Sequence, residues 1–228
     1  DFTFNAMSLR PDGTFFDCFG GRDDLAAGRV RFVGDAQRRV AEDYLRVLRY
    51  FRFLARFGSG EPDAEAVSAC RAASDQLARL SIERVRNEFL KLLAAPNPVP
   101  TLGLMRETGV LAAVLPDAGA MDVLITLVGI DDRDPLRRLA ALVPNSGKQS
   151  GRALKLSKRE QDRLAALAPP AIVPDPTMDD TARESLWQQI TARYAEEMPL
   201  IQLVQLTNTW ALRRGLRHER RSRGKVTP

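Results

Sequence analysis

Histidine and cysteine are nearly absent: the 228 residues hold one histidine, His218, and two cysteines, Cys18 and Cys70. The cysteines stand far apart and in no metal-ligand spacing, so neither a Cys/His zinc module nor a disulfide framework is available; they read as reduced thiols of a cytoplasmic protein. His218 sits in an arginine-rich tail and reads as solvated. No run of 18 apolar residues occurs, which excludes a membrane-spanning helix. The N-terminal DFTFNAMSL lacks a basic stretch followed by an apolar core, so it is no signal peptide. No initiator methionine precedes Asp1, and the chain is expected to be a fragment. Nothing in the sequence implies a protein partner.

Basic charge is plentiful. Lys and Arg number 34 against 29 Asp and Glu, giving a net charge of +5. Arginine dominates, and its planar fork binds phosphate and carboxylate bidentately. The balance tilts toward nucleotide or nucleic-acid partners. With 44% hydrophobic and 28% charged residues, the composition suits a folded protein of one to three compact units.

The predicted fold is mainly α: the remnant of a small α+β head, then a helical neck, body and tail. In residues 1–34, NAMSLRPDGTFFDCFGG predicts two short strands around the turn Pro11-Asp12-Gly13. GGRDDLAAG predicts a short helix, and RVRFVGD alternates like a strand. Phe15, Phe16 and Phe19 are expected in the head core, and Gly20 and Gly21 to serve backbone geometry. Residues 35–95 read as the neck. DAQRRVAEDYLRVLRYFRFLARFG makes one or two helices, capped by Asp35 and stopped by Gly58. LSIERVRNEFLKLLAAP makes another, with Ser81 as its cap. Residues 96–228 read as the body and tail. TLGLMRETGVLAAVLPD predicts a helix, PPAIVPDPTMDDT a linker, and 181–194 with 200–214 an amphipathic pair. The final RRGLRHERRSRGKVTP holds seven Lys/Arg against one Glu and predicts a mobile segment.

One stretch calls for a chemical explanation. EDYLRVLRYFRF is apolar on nearly every side if helical, yet carries Asp43 and Arg46 three residues apart, with Arg49 and Arg52 following. A charge entering a core costs several kcal/mol unless paired or liganded. A carboxylate only accepts hydrogen bonds and a guanidinium only donates. Side by side on one helix face, they complement the amino donor and ring-nitrogen acceptor of cytosine or adenine. Uracil and guanine present the reverse order. The plain alternative is an ion pair within the helix, Asp43 with Arg46 or Glu42 with Arg46.

Four stretches in order resemble one family. DFTFNAM is similar to the end of the RRDFT-x-NA motif of bacterial tRNA nucleotidyltransferases, the class II CCA-adding enzymes, and of their relatives the bacterial poly(A) polymerases. FDCFGGRDDL with VRFVGD, EDYLR with the arginines after it, and SIERVRNEFLKLL followed by LMRETGVLAAVLPD resemble later motifs. The likeness spans residues 1–117. It implies that Asp43 and Arg46 pair with the base of CTP or ATP, with Glu42 positioning Arg46 or a neighbouring arginine. It implies further that Asp1 lies near the nucleotide ribose, Asn5 near the triphosphate, and Arg49 at the nucleotide. Arg52, Arg213 and Arg214 are the implied RNA contacts, with tRNA 3′ ends as the RNA. Arg137, Arg138, Lys148, Arg152, Lys155, Lys158 and Arg159 are further basic candidates for phosphate.

The family's metal-binding carboxylates belong to a G-S-x-x-D-x-D-type segment, which this sequence does not contain. Mg2+ is thus expected on ligands upstream of this chain. No catalytic or metal residue is assigned here, and the chain alone is expected to be inactive. Asp23/Asp24, Asp131/Asp132 and Asp179/Asp180 read as helix-start or loop residues. The competing readings are a poly(A) polymerase and a helical RNA-binding protein without activity.

Overall fold

A computed structural model describes residues 1–167, apart from Ala120, Asn145 and Ser146, and beyond them only the isolated positions Thr181, Ser185 and Gln188. Two units separate along the chain, Asp1–Pro169 and Pro170–Pro228, and the architecture below is that of the first. It is mainly helical with one small antiparallel hairpin. The amphipathic pair predicted over 181–194 and 200–214, the linker and the basic tail lie outside the described residues.

The chain opens with a 3-10 turn, Thr3–Ala6, then β1 (Ser8–Leu9) and β2 (Phe15–Phe16). Ser8 stands opposite Phe16 and Leu9 opposite Phe15. The turn between them forms where Pro11-Asp12-Gly13 predicts it: Gly13 adopts φ +87°, its N–H donates to the Arg10 carbonyl, and Asp12 Oδ1 accepts from the Thr14 N–H. RVRFVGD, by contrast, is not a strand. Only an isolated bridge joins Phe32 to Phe2, flanked by one bond from the Thr3 N–H to the Arg31 carbonyl and one from the Val33 N–H to the Asp1 carbonyl. The phenylalanine expectation also fails. Phe15, Phe16 and Phe19 are exposed, because the hairpin has no sheet to rest on among the described residues. The aromatics of residues 1–34 that do enter the core are Phe2, Phe4 and Phe32. Phe2 lies 4.8 Å from Phe32 and 5.2 Å from Phe53, ring centroid to centroid, which fastens the N-terminal segment to the long helix that follows. Each buried ring contributes roughly 1.5–3 kcal/mol.

Helix α1 (Gly21–Ala26) starts from Gly20, which adopts φ +69°. A Cβ on Gly21 would stand 2.3 Å from the Thr3 carbonyl oxygen and 2.7 Å from the Phe4 Cα. Backbone geometry, as expected, accounts for both glycines. Gly21→Ala must push two backbone segments apart, and urea denaturation should show a loss of about 1–3 kcal/mol.

Asp24 of α1 is buried and accepts hydrogen bonds from the Thr3 hydroxyl and the Arg31 Nε, each at 2.6 Å. Burial alone would raise its carboxyl. The Thr3 hydroxyl, Arg31 and the charge of Arg29 outweigh that and hold it below the usual range. A depressed carboxylate contributes stability that is complete above its unfolded pKa, about 3.9, and that is lost as pH falls through the folded value. Amide exchange at residues 20–32 should therefore accelerate on acidification below about pH 4, and Asp24→Asn should flatten that dependence.

The helical part begins with α2 (Ala36–Glu42), whose cap Asp35 accepts from the Arg38 N–H at 2.7 Å. Helix α3 (Leu45–Phe57) follows, ends at Gly58, and buries Leu45, Val47, Leu48, Tyr50 and Phe51. Helix α4 (Ala64–Ala72) is capped by Asp63, and a 3-10 turn covers Ser74–Arg79. Helix α5 (Ile82–Leu93) packs Val85, Phe89, Leu92 and Leu93 into the same core. Ser81 occupies its cap position but makes no side-chain cap bond, contrary to expectation; only its carbonyl accepts, from Arg84 and Val85. The single helix predicted over 101–117 is two, α6 (Val99–Glu107) and α7 (Val110–Val114), parted by Gly109 at φ +78°, which a right-handed helix does not tolerate. Helices α8 (Asp122–Gly129), α9 (Pro135–Leu142), α10 (Gly147–Ala153) and α11 (Lys158–Leu167) complete the described part. No helix among the described residues is long and apolar enough to cross a membrane.

Arg138 on α9 corrects another expectation. It is fully buried, so it is no phosphate contact. Its guanidinium donates to the carbonyls of Asp132, Leu93, Ala95 and Pro96, closing the C-terminal end of α5 against α9. Orphan carbonyls at a helix end need such partners when buried.

Candidate functional site

The stretch EDYLR does not continue one helix. Helix α2 ends at Glu42, Asp43 is extended (φ −155°, ψ 108°), and α3 begins at Leu45. The Asp43 carboxylate itself forms the break, because its Oδ1 accepts from the Leu45 N–H at 3.1 Å. Such local bonding competes with the helical ladder. Asp43 and Arg46 are consequently not neighbours on a helix face. One stands at the junction and the other on the first turn of α3. Their side chains do not pair with each other, although the Arg46 N–H donates to the Asp43 carbonyl at 3.0 Å.

Each is held by separate partners. Arg46 Nε donates to Asp1 Oδ1 at 2.8 Å. Its Nη1 donates to the Arg39 carbonyl at 2.6 Å and to Glu42 Oε2 at 2.5 Å. The remaining amino group, Nη2, has no hydrogen-bond partner among the described residues. Asp43 Oδ2 accepts from Arg84 Nη2, on the first turn of α5, at 2.7 Å. Asp43 keeps about a third of its side chain in solvent and Arg46 about a seventh. The result is a donor fixed from three sides and an acceptor fixed from two. A carboxylate has about four lone-pair sites, so Asp43 retains capacity for a further donor.

Glu42 bonds both Arg46 and Arg39, in line with its expected positioning role. The Arg46 hydrogen bond, first among the causes, draws its carboxyl below the usual range. Asp1 is clasped between Arg46 and Arg49 Nη1, the latter at 2.6 Å, and its side chain is mostly buried. Arg49 is one-third exposed. Asn5 is exposed on the 3-10 turn. The structure thus brings Asp1, Glu42, Arg46 and Arg49 into one network, with Asp43 at its edge and Asn5 unconnected to it by hydrogen bonds. Four guanidinium groups (Arg39, Arg46, Arg49, Arg84) meet three carboxylates there.

Arg52 points to α5. Its Nε lies 3.0 Å from Glu88 Oε2, and its guanidinium carbon sits 4.1 Å over the Phe53 ring. Arg213 and Arg214 lie outside the described residues. Lys155 bonds Glu83 and Arg137 bonds Asp132.

Sequence reasoning missed Arg84 and Arg39. Arg84 lies 41 residues from Asp43 and no local spacing joins them. Arg39 acts through both its side chain and its carbonyl, and the latter carries no sequence signal.

Among the described residues, no group of three or more His, Cys, Asp or Glu side chains could hold a metal ion. The described residues therefore do not fit a divalent cation. Cys18 is exposed and Cys70 buried, both free thiols.

Comparison with known proteins bears on the family and the fold. A family model described as "Probable RNA and SrmB- binding site of polymerase A" matches residues 61–121. The mitochondrial CCA tRNA nucleotidyltransferase 1 of Danio rerio is 35% identical over 170 residues, 71% of this chain and 39% of that protein. The CCA-adding enzyme of Geobacillus stearothermophilus is 41% identical over 117 residues, 51% of this chain and 28% of that enzyme. The chain thus spans less than two fifths of these relatives' length. Among solved structures, the Bacillus stearothermophilus CCA-adding enzyme in complex with CTP superimposes with a TM-score of 0.61 at 30% identity, over 77% of this chain and 46% of that one. The Thermotoga maritima CCA-adding enzyme complexed with tRNA shares the fold, with a TM-score of 0.58 at 20% identity, over 85% of this chain and 49% of that one. Over the part it spans, the chain belongs to the class II CCA-adding and poly(A) polymerase-like family.

Proposed function

We propose that this chain supplies the base-selecting neck and the helical body of an RNA nucleotidyltransferase that adds CCA, from CTP and ATP, to tRNA 3′ ends. In this reading residues 1–34 are the end of the head, 35–95 the neck, and 96–228 an RNA-holding body and tail. The observation that carries it is the pair of fixed groups at the α2–α3 junction. Arg46 Nη2 offers free N–H donors while Asp1, Glu42 and the Arg39 carbonyl restrain the rest of its guanidinium. Asp43 offers a carboxylate oxygen steadied by Arg84 and the Leu45 N–H. Cytosine and adenine donate from their amino group to Asp43 and accept at their ring nitrogen from Arg46. Uracil and guanine would set carbonyl against carboxylate and N–H against guanidinium. A site built of hydrogen-bonding groups rejects such a ligand strongly, because its own groups are left unpaired.

Asp1 positions both Arg46 and Arg49 in this account. Arg49, one-third exposed, faces the nucleotide's negative charge, and Asn5, exposed on its turn, lies toward the triphosphate. Arg52, with a fifth of its side chain in solvent, and Arg213 and Arg214 contact RNA. Mg2+ would be held by carboxylates that the described residues do not supply and would neutralise charge at the triphosphate; on this reading the chain by itself transfers nothing. Two free, widely separated thiols support a reducing compartment, read here as the cytoplasm; the relatives include both mitochondrial and bacterial proteins.

Supplying the full-length enzyme with tRNAs that lack CCA, CA or A tests the proposal. Addition of the missing residues followed by arrest is expected. The description of the model matching 61–121 favours poly(A) synthesis as the second reading, and a long A tract would establish it. Absence of any incorporation, with RNA binding retained, would leave a helical RNA-binding protein.

A further inference from the structure

The first turn of α5 carries Arg84, which holds Asp43, yet it has no side-chain cap. What grips it is the turn between α10 and α11. Arg86 Nη1 donates to the Lys155 carbonyl at 2.5 Å, and Lys155 Nζ donates to Glu83 Oε1 at 2.8 Å. Glu83, Arg84 and Arg86 all lie within the first five residues of α5, so two bonds from one residue fix the turn from which Arg84 projects.

Lys155 is itself out of the ordinary. It adopts φ +47°, left-handed backbone in which a side chain is strained and glycine is not. The turn otherwise ends α10 as helices commonly end: the Lys155 N–H donates to the Arg152 carbonyl and the Leu156 N–H to the Gly151 carbonyl, with Leu154 and Leu156 buried beneath. Glycine is the usual residue at that position. Lysine there retains a strained backbone and gains a reach to Glu83. An exposed ion pair of this kind adds little to stability, so stability does not account for it.

We propose that Lys155 is a positioning residue for base selection: through Glu83 and the Arg86 contact, the α10–α11 turn sets the place of Arg84 and thereby of the Asp43 carboxylate. The inference rests on the reading of Asp43 and Arg46 as the base-selecting pair. It makes the body a determinant of which nucleotide the neck accepts.

Stability and selectivity should move in opposite directions, which separates a positioning role from a structural one. In the full-length enzyme, Lys155→Gly relieves the backbone, so the urea midpoint should stay at or above that of the wild type. The ratio of kcat/KM for CTP to that for UTP should nevertheless fall about tenfold. Glu83→Gln should lower the ratio similarly, the two changes together no further than either alone, and Lys155→Arg should restore it. A ratio within about twofold of wild type in Lys155→Gly overturns the proposal, as does a fall that tracks a lowered midpoint and is not rescued by arginine. Asp43→Asn serves as the control for the underlying reading. If that variant keeps full preference for CTP, or the wild type shows none, the base-selecting pair itself is wrong and Lys155 falls with it.

Discussion

Exchanging the charges at the junction, Asp43→Arg together with Arg46→Asp, is expected to turn nucleotide preference in the full-length enzyme from CTP and ATP toward UTP and GTP. After exchange the acceptor stands where the donor stood, matching the carbonyl and ring N–H of uracil or guanine. The ratio of CTP to UTP use should shift by at least about 100-fold, since hydrogen-bonding sites discriminate against reversed partners by that much or more. Absolute rates should fall as well. An arginine at position 43 faces Arg84, and an aspartate at position 46 joins Asp1 and Glu42, which now hold a guanidinium. The base ratio, measured on tRNA lacking its terminal residues, is therefore the reading that matters. Asp43→Asn gives a graded comparison. Its amide can present either an oxygen or an N–H, so preference should relax without reversing.

The second large effect concerns Arg138. Replacing it by leucine should lower stability by about 3–5 kcal/mol, measured as a shifted urea midpoint at unchanged slope. The size follows from what is left behind. The carbonyls of Leu93, Ala95 and Asp132 each lose a donor at 2.5–2.6 Å, and that of Pro96 one at 3.5 Å. Each buried carbonyl without a partner costs about 1–3 kcal/mol, and solvent relieves part of that. Arg138→Lys should recover some of the loss, as an ammonium has three donors and no planar fork. If Arg138 were a phosphate contact on the surface, leucine would leave the midpoint within about 0.5 kcal/mol of wild type.

Arg138 also shows where sequence reading stops. In the run RRL it is indistinguishable from its neighbour Arg137, and only the approach of α9 to the end of α5 makes one a buried keystone. The features that were legible are those with local causes. Pro11-Asp12-Gly13 closes a hairpin through bonds among residues 10–14, and Asp35 caps α2 through the Arg38 N–H three residues on. RVRFVGD alternates correctly for a strand, yet a strand requires a partner, and here the partner is one residue long. EDYLR misleads in its geometry. Asp43 and Arg46 read as neighbours on one helix face, whereas the Asp43 side chain bonds the Leu45 N–H and parts α2 from α3. That break frees Asp43 from the helix face and lets Arg84 reach it from 41 residues away. Arginine at position 84 gave no sign of that role.

The central claim is that Asp43 and Arg46 together read the base, and a structure of the full-length enzyme bound to CTP tests it most directly. The account predicts the cytosine amino group within about 3 Å of an Asp43 oxygen and the ring nitrogen within the same distance of Arg46 Nη2, with Arg84 still bonded to Asp43. A cytosine bound elsewhere, with Asp43 engaged by Arg84 and Leu45 alone, would contradict it.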